Sequence, residues 1–363
     1  MLVFSFLVPW LLGTLLLFAP LPAVANQLAA VTEITTAKVS AVTIFSLKHK
    51  DVVAVAVETR LPAANVDDPL DYTFEPQYRI LEKNNTITLT IAAEPAVADP
   101  VVAPADGSHL LQLTADTANK AAFTLTVLYN EPASALLTQV KRKRVIEPDN
   151  TIIFRTYLVL TFADTTTPQP KTIVLDPGHG GTALGAASNE LVEKELNLDI
   201  ALLSRELFRQ HGYDVYMTRT DDSNPSLLDR ADAANILQAD VFLSIHNNSV
   251  PTDMPDAAKK LYRGTTALYN AAAAKPAKEL AKLLADELSA TLRIHQYPLQ
   301  DRPKLVVLNA TWVPAVIAEV AMMPHPQDAK MLSQRVYRRQ AAEAIFQATE
   351  KYLSLLPEDR RGL

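Results

Sequence analysis

A short apolar strand that runs directly into a glycine-rich loop constrains the fold of this chain more than any other feature. Residues 172–175 form an apolar run, which predicts a buried strand of a parallel sheet. Four of the nine glycines in the chain follow within the next ten residues: Gly178, Gly180, Gly181 and Gly185. Glycine is used where the backbone needs a positive φ or where another group approaches closely. Because α/β proteins bind ligands at the carboxyl ends of parallel strands, His179 in this loop is a candidate functional residue.

Composition excludes several classes of protein and site. The chain of 363 residues is 48% hydrophobic, which is enough for a sizeable core and predicts two domains. A net charge of -6 gives no reason to expect a nucleic-acid partner. The absence of cysteine excludes disulfides, thiolate metal ligands, a cysteine nucleophile and a lipid-anchoring cysteine.

The amino-terminal segment predicts export. Residues 1–25 are apolar and uncharged, and they end in Ala23-Val24-Ala25, a small-residue pattern typical of signal-peptide cleavage. We expect a signal peptide over 1–25, because Pro20 and Pro22 break the helix just before the cleavage site. An apolar run of this length could also be retained as a membrane anchor. Both alternatives place the rest of the chain outside the cytoplasm, in the periplasm or at the cell wall.

The region that follows is predicted to be a smaller all-β domain. Residues 26–163 contain short alternating runs rich in Thr and Val, such as 86–91 and 123–128, with turn residues between them. This pattern favours a sandwich-like fold. The region has no cluster of residues that suggests chemistry, and we expect its isolated histidines, His49 and His109, to lie on the surface.

A basic run and a polar connection complete this first half of the chain. The basic run 141–144 could contact an anionic polymer, but a solvated loop or edge strand is the favoured interpretation. Residues 164–170 are polar and contain two prolines, which predicts a short interdomain linker.

Residues 171–363 are predicted to form a single α/β domain. Strands and helices alternate along this half, which is typical of a mostly parallel sheet flanked by helices. The predicted strands cover 172–175, 213–217, 241–245, 265–269, 305–308 and 315–320. The predicted helices cover 193–211, 227–237, 277–292 and 327–355.

Four candidate residues occupy equivalent places in this domain. His179 follows the first strand, Glu193 opens the first helix, His246 follows the strand 241–245, and Glu319 lies in the last strand. Each alone has a structural alternative, such as a carboxylate that complements a helix N-terminus. Together they converge, because parallel strands end at the same edge of a sheet. Two imidazoles and one carboxylate are typical of a catalytic zinc site, and a further carboxylate could act as its general base.

Six motifs surround these candidates. They are Leu175-Asp176-Pro177-Gly178-His179-Gly180-Gly181, Glu193-Lys194-x-x-Asn197-Leu198, Thr218-Arg219, Leu228-x-Arg230-x-x-x-x-Asn235, Ser244-Ile245-His246-x-Asn248 and Pro314-Ala315-Val316-x-x-Glu319. In this order they resemble the motifs of the zinc-dependent N-acetylmuramoyl-L-alanine amidases. The resemblance covers residues 171 to about 352.

The resemblance implies a metal site and a reaction. It implies that His179, Glu193 and His246 hold one Zn²⁺ and that Glu319 is the catalytic carboxylate. This family cleaves the amide bond between N-acetylmuramic acid and L-alanine in peptidoglycan with a zinc-activated water.

The resemblance also implies substrate contacts and partners. Asn248 and Arg230 become candidate substrate-binding residues, and the β-rich residues 26–163 would occupy the place of the AMIN domain, a module that targets the cell wall. The implied partner is peptidoglycan. We expect no nucleic acid and a monomeric protein, and any activator protein is unidentified.

Two departures from the family motifs fall at the expected cleft. Residues 181–185 lack the usual acid, and residues 320–325 replace a Gly-Phe-rich stretch that normally carries an Asn. These departures support an alternative, an exported zinc peptidase acting within the stem peptides of peptidoglycan. A metal-free wall-binding protein is a third hypothesis, which the intact set of four candidate residues disfavours. The segment 246–319 is also short for the inserted regulatory helix of some relatives.

Overall fold

The computed structural model describes residues 37–62, 75–97, 109–130, 133–146, 151–251, 253–273, 275 and 277–356. The predicted signal peptide over 1–25 lies outside the described residues. All the described residues belong to one compact unit. None of the helices in the described part of the chain has the length and apolarity needed to cross a membrane.

The first half of the chain forms two antiparallel-rich sheets. One sheet has the order β5-β1-β2-β9-β8, and the other has the order β3-β4-β7-β6. Their strands are β1 (Lys38–Ser46), β2 (Lys50–Pro62), β3 (Tyr78–Lys83), β4 (Thr86–Ile91), β5 (Glu94–Pro95), β6 (Leu110–Asp116), β7 (Phe123–Tyr129), β8 (Ala133–Ile146) and β9 (Thr151–Asp164). The backbone of the basic run 141–144 therefore belongs to an edge strand, and its side chains lie outside the described residues.

The second half of the chain forms a six-stranded sheet with the order β13-β10-β14-β17-β15-β16. Its strands are β10 (Thr172–Pro177), β13 (Asp214–Met217), β14 (Val241–Asn248), β15 (Thr266–Tyr269), β16 (Gln300–Asp301) and β17 (Ala315–Met322), and a hairpin of β11 (Ala187–Ser188) and β12 (Leu191–Val192) lies apart. The pairs among β13, β10, β14 and β17 are parallel, and β15 is antiparallel to β17. The predicted α/β fold with a mostly parallel sheet, preceded by a β-rich region, is confirmed.

Helices cover both faces of this sheet. They are α1 (Glu193–Gln210), α2 (Leu227–Ile236), α3 (Asp256–Lys259), α4 (Lys278–Leu292), α5 (Val306–Asn309), α6 (Pro326–Leu332) and α7 (Arg335–Ser354). Apolar residues of α1, α4 and α7 pack on one face in a single core cluster. Apolar residues of α2 and α5 pack on the opposite face in a second cluster.

Two sequence predictions in this half were wrong. Residues 305–308, predicted as a strand, contribute to the short helix α5. Periodicity cannot separate strand from helix in an apolar run of four residues. The single helix predicted over 327–355 is two helices, because Gln334 adopts an extended backbone with φ -92° and ψ 124° and ends the first before α7 begins.

The β-rich region and the α/β region share a core cluster. Val52, Ala54 and Ala56 on one side of β2 belong to the same cluster as the apolar residues of α2 and α5. The alternate residues of β2, including Val53 and Val55, pack in the core between the two sheets of the β-rich region. The central strand β2 is therefore buried on both faces, which explains its uninterrupted apolar run.

Polar contacts cross the same boundary. The Tyr157 hydroxyl donates a hydrogen bond of 2.8 Å to Asp232, and His49 Nδ1 lies 2.9 Å from an Asp214 oxygen. His109 Nε2 in turn lies 3.1 Å from the His49 carbonyl oxygen. Both histidines, predicted to lie on the surface, are half-buried, and each makes a hydrogen-bonding contact with a residue distant in sequence.

We expect the two regions to unfold together, since they share a core. Val52→Asp, which places a charge at a site 1% exposed, should lower stability by about 3 kcal/mol or more and keep a single transition. Scanning calorimetry measures both quantities. Leu136→Asp, on the same sheet at a site 61% exposed, is the control and should change stability little. Two separate wild-type transitions, with only one moved by Val52→Asp, would contradict this expectation.

Candidate active site

Parallel pairing brings three of the four candidate residues to one edge of the sheet. β10 pairs with β14, and β14 pairs with β17, with His246 directly opposite Glu319. His179 follows β10 at the same edge because Pro177 pairs with Ile245. Glu193 reaches this edge as the first residue of α1.

The loop after β10 places the imidazole of His179 at the expense of backbone strain. His179 itself has φ 64°, in the left-handed region that residues with side chains rarely adopt. A Cβ on Gly178 would lie 2.1 Å from His246 Nε2, and one on Gly185 would lie 2.5 Å from a Glu193 oxygen. These two glycines therefore let the backbone approach the candidate ligands closely, as the sequence predicted.

Two buried arginines hold this loop from beneath. Arg230 forms an ion pair of 2.7 Å with Asp176 and donates to the carbonyl oxygens of Pro177 and His179, both at 2.8 Å. Arg219 donates to the carbonyl oxygens of Pro177 at 2.9 Å and Gly178 at 3.0 Å. Because Arg230 is only 2% exposed and does not line the cleft, its position fits a role in holding the loop rather than the predicted contact with substrate.

The proposed metal ligands converge on a single point. His179 Nε2 lies 3.2 Å and His246 Nδ1 lies 2.9 Å from the same oxygen, Oε1 of Glu193. The three donor atoms lie within 4.8 Å of one another. Two imidazole nitrogens and a carboxylate are the donor set that zinc binds with an open fourth position. The residues present therefore fit a metal ion.

Neighbouring groups fix the orientation of the Glu193 carboxylate. Its Oε2 accepts a hydrogen bond of 2.7 Å from the Ala186 backbone N–H, and its Oε1 accepts one of 3.3 Å from Asn197. Asn247 donates to Asn197 Oδ1 at 2.9 Å. Sequence reasoning gave Asn197 and Asn247 no role. The spacing of four residues between Glu193 and Asn197, which places these two side chains on one face of α1, was the available signal for Asn197.

The two carboxylates of the site have opposite pKa shifts. Burial alone would raise the pKa of Glu193, but hydrogen bonds from His179 and His246 hold it well below its usual range. Burial raises the pKa of Glu319 to about 7, although the nearby His246 opposes the shift. Glu193 is therefore ionised as a ligand must be, whereas Glu319 can take up and release a proton near neutral pH.

A cleft of about 1050 Å³ opens beside the four residues. His179, Glu193, His246 and Glu319 all line it. Asn248, a candidate substrate-binding residue, lines it too, and its side-chain oxygen accepts a hydrogen bond from the Ser249 N–H. The candidate metal ligands, the candidate general base and a candidate substrate contact thus line one accessible cavity.

Gly178→Ala should remove metal binding. The added Cβ would overlap the His246 imidazole, which is fixed by its contact with Glu193 and must move away. Metal content per protein after dialysis, measured by elemental analysis, checks this. The control is Gly212→Ala, at φ 85° with nothing within 4 Å of the new Cβ. It should cost about 1 kcal/mol of stability and keep the metal. Normal metal content in Gly178→Ala would contradict the expectation.

Glu319 should make the metal-free protein less stable as pH rises. Its pKa is about 7 in the fold, whereas the unfolded chain releases this proton near the ordinary value of about 4.3. Stability should therefore fall between about pH 4.3 and pH 7, and Glu319→Gln should remove this loss. Urea unfolding of chelator-treated protein at pH 5 and pH 8 measures it. If the free energies of unfolding of wild type and Glu319→Gln differ by the same amount at pH 5 and at pH 8, this expectation is wrong.

Comparisons with known proteins give a family for the α/β half of the chain. The family model of N-acetylmuramoyl-L-alanine amidase matches residues 173–351. N-acetylmuramoyl-L-alanine amidase LytC of Bacillus subtilis is 35% identical over 182 residues, covering 50% of this chain and 35% of LytC. Probable cell wall amidase LytH of Staphylococcus aureus is 33% identical over 193 residues, covering 51% of this chain and 60% of LytH. The chain therefore spans less than two thirds of either relative.

A solved structure gives a match of similar extent. The N-acetylmuramoyl-L-alanine amidase from Clostridium difficile 630 is 31% identical, with 52% of this chain and 100% of that chain covered and a TM-score of 0.48. The segment matched by the family model contains all four candidate residues. Residues 173–351 of this chain are therefore a domain of the N-acetylmuramoyl-L-alanine amidase family.

Proposed function

We propose that this chain is an exported peptidoglycan hydrolase that cleaves the amide bond between N-acetylmuramic acid and L-alanine. The observation that carries the proposal is the convergence of two imidazoles on one ionised carboxylate oxygen, with Glu319 opposite His246 on the neighbouring strand. Membership of the amidase family supports the reaction. The apolar residues 1–25 support export to the periplasm or the cell wall.

Zinc is the metal that we propose for this site. His179, Glu193 and His246 would hold it, and their nitrogen and oxygen donors match the ligands of catalytic zinc. A bound Zn²⁺ would polarise the amide carbonyl and lower the pKa of a water molecule. Asn197 and the Ala186 N–H would keep the Glu193 carboxylate oriented while the site is loaded.

Glu319 would carry out the proton transfers. Its carboxylate lies in the wall of the cleft, and burial raises its pKa to about 7. Such a group can accept a proton from the attacking water and then donate it to the nitrogen of the leaving alanine. The positive charge of a bound metal would lower this pKa and favour the form that accepts the proton.

The shared core of the two regions bears on the role of residues 26–163. Targeting to the cell wall stays a prediction for this region. Because Val52, Ala54 and Ala56 pack in the same cluster as α2 and α5, we propose that the region also stabilises the α/β fold that carries the site.

Analysis of digested cell walls tests the proposed bond. Purified zinc-loaded protein should release intact stem peptides with a free L-alanine amino group, leaving glycan strands that carry unsubstituted muramic acid. Mass spectrometry identifies both products. Peptides cut within the stem would instead support an exported zinc peptidase, and unchanged walls would support a binding protein without activity.

Glu319→Gln should give a folded, zinc-loaded and nearly inactive protein. Because the Glu319 side chain is outside the ligand set, zinc content should match wild type. Loss of general acid/base catalysis should lower kcat by about 10²- to 10⁴-fold. Hydrolysis of a soluble muropeptide measures the rate, and elemental analysis measures the zinc. His179→Ala is the matched control and should lose zinc as well as activity. Near-normal kcat in Glu319→Gln would exclude this role.

A further inference from the structure

The cleft extends well beyond the proposed metal ligands, and an arginine lies in its wall near β16. Its lining runs from Glu319 on β17, past Leu268 on β15, to Gln300 on β16. Arg302 follows β16 and is the only Lys or Arg among the described residues that line the cleft. The proposed metal ligands and Glu319 do not need this cation, so its role lies elsewhere.

Contacts with protein groups orient the Arg302 guanidinium. Its Nε and Nη2 donate hydrogen bonds of 3.0 and 2.5 Å to Gln300 Oε1, and its backbone N–H donates to the Tyr269 carbonyl oxygen at 2.8 Å. Gln300 uses two of the five N–H groups of the guanidinium, which leaves three for a ligand. No carboxylate in the described part of the chain forms an ion pair with Arg302, whose side chain is exposed.

The surroundings of Arg302 favour a carboxylate ligand. Leu299, Leu305 and Val306 line the cleft beside it and offer apolar surface next to a bound anion. Guanidinium binds carboxylate through two parallel hydrogen bonds, and such charge-assisted pairs strengthen in less polar surroundings. Glu193 belongs to the proposed metal site, and Glu319 lies on β17, two strands away from β16.

The length of the cleft indicates which part of a substrate reaches Arg302. β16 is two strands away from β17, which corresponds to about 10 Å at the usual spacing of about 4.8 Å. An extended peptide advances about 3.3–3.6 Å per residue. A peptide whose first amide lies at Glu319 would therefore bring its second or third residue to the guanidinium.

We propose that Arg302 is a specificity-determining residue that binds a free carboxylate on the second or third residue of the stem peptide. This inference rests on the proposed amidase function. It assigns the β16 side of the cleft to the peptide and the opposite side to the sugar. The protein would consequently distinguish peptides that carry a free acid from those in which the same acid is amidated.

A pair of soluble muropeptides that differ only in that acid or carboxamide tests the proposal. Wild type should cut the acid more efficiently than the amide. Arg302→Gln should lower kcat/KM for the acid by about 10- to 100-fold, chiefly through KM, and leave the amide nearly unchanged. Arg302→Lys should recover part of the preference, because it keeps the charge but not the paired donors. Lys304→Gln is the matched control, since Lys304 is exposed nearby but does not line the cleft.

Three outcomes would overturn the proposal. Equal losses on both substrates in Arg302→Gln would indicate a structural role, and thermal unfolding with zinc content would show whether the fold is intact. Equal wild-type rates on acid and amide would mean that the cleft does not recognise this carboxylate. A loss of preference in Lys304→Gln equal to that in Arg302→Gln would assign the effect to general charge. Absence of cleavage of either muropeptide by wild type would instead contradict the proposed function itself.

Discussion

The buried ion pair between Asp176 and Arg230 is the interaction on which the site depends. Its partners are 1% and 2% exposed, and the Asp176 carboxylate also accepts hydrogen bonds from Thr218 and Ser244. A charged pair this deep is costly to form, and removal of one partner leaves an unpaired charge. Here the pair carries a further function, because the same guanidinium holds the carbonyl oxygens of the loop that places His179.

The loop after β10 explains why two buried arginines and their hydrogen bonds lie next to the candidate metal ligands. A left-handed His179 and the close approach of Gly178 to His246 are unfavourable unless surrounding contacts enforce them. Arg219 and Arg230 supply these contacts by donating to the carbonyl oxygens of Pro177, Gly178 and His179. The consequence is a set of candidate ligands already close together without a metal, which would reduce the reorganisation that metal binding requires.

Two carboxylates of one cleft acquire different chemistry from their surroundings. Glu193 lies between two imidazoles and accepts a backbone N–H bond, so it stays ionised. Glu319 is crowded by protein with no comparable hydrogen-bond donors among the described residues, and its pKa rises towards neutrality. Separation of the two pKa values by environment fits the proposed roles, in which one acid is a ligand and the other exchanges protons.

Local sequence determined the elements of the α/β half and the identity of the candidate ligands. The sequence predicted strand β10, its glycine-rich loop and the helix that begins at Glu193. These elements could be predicted because apolar periodicity, glycine spacing and helix ends are short-range signals. The helical conformation of α5 could not be predicted from the apolar run 305–308, since so short a run shows no periodicity. Convergence of His179 with His246 could be inferred only from a general rule about parallel strands.

Tertiary structure alone decided three other matters. It placed Arg230 under the loop instead of in the cleft, because the guanidinium on α2 pairs with Asp176 on β10, 54 residues away in sequence. It buried β2 on both faces and drew His49 to Asp214, since the β-rich region shares a core with α2 and α5. It also set Arg302 in the wall of the cleft. These contacts join residues that are far apart in the chain. The local sequence around one residue therefore does not predict which distant residue it will contact.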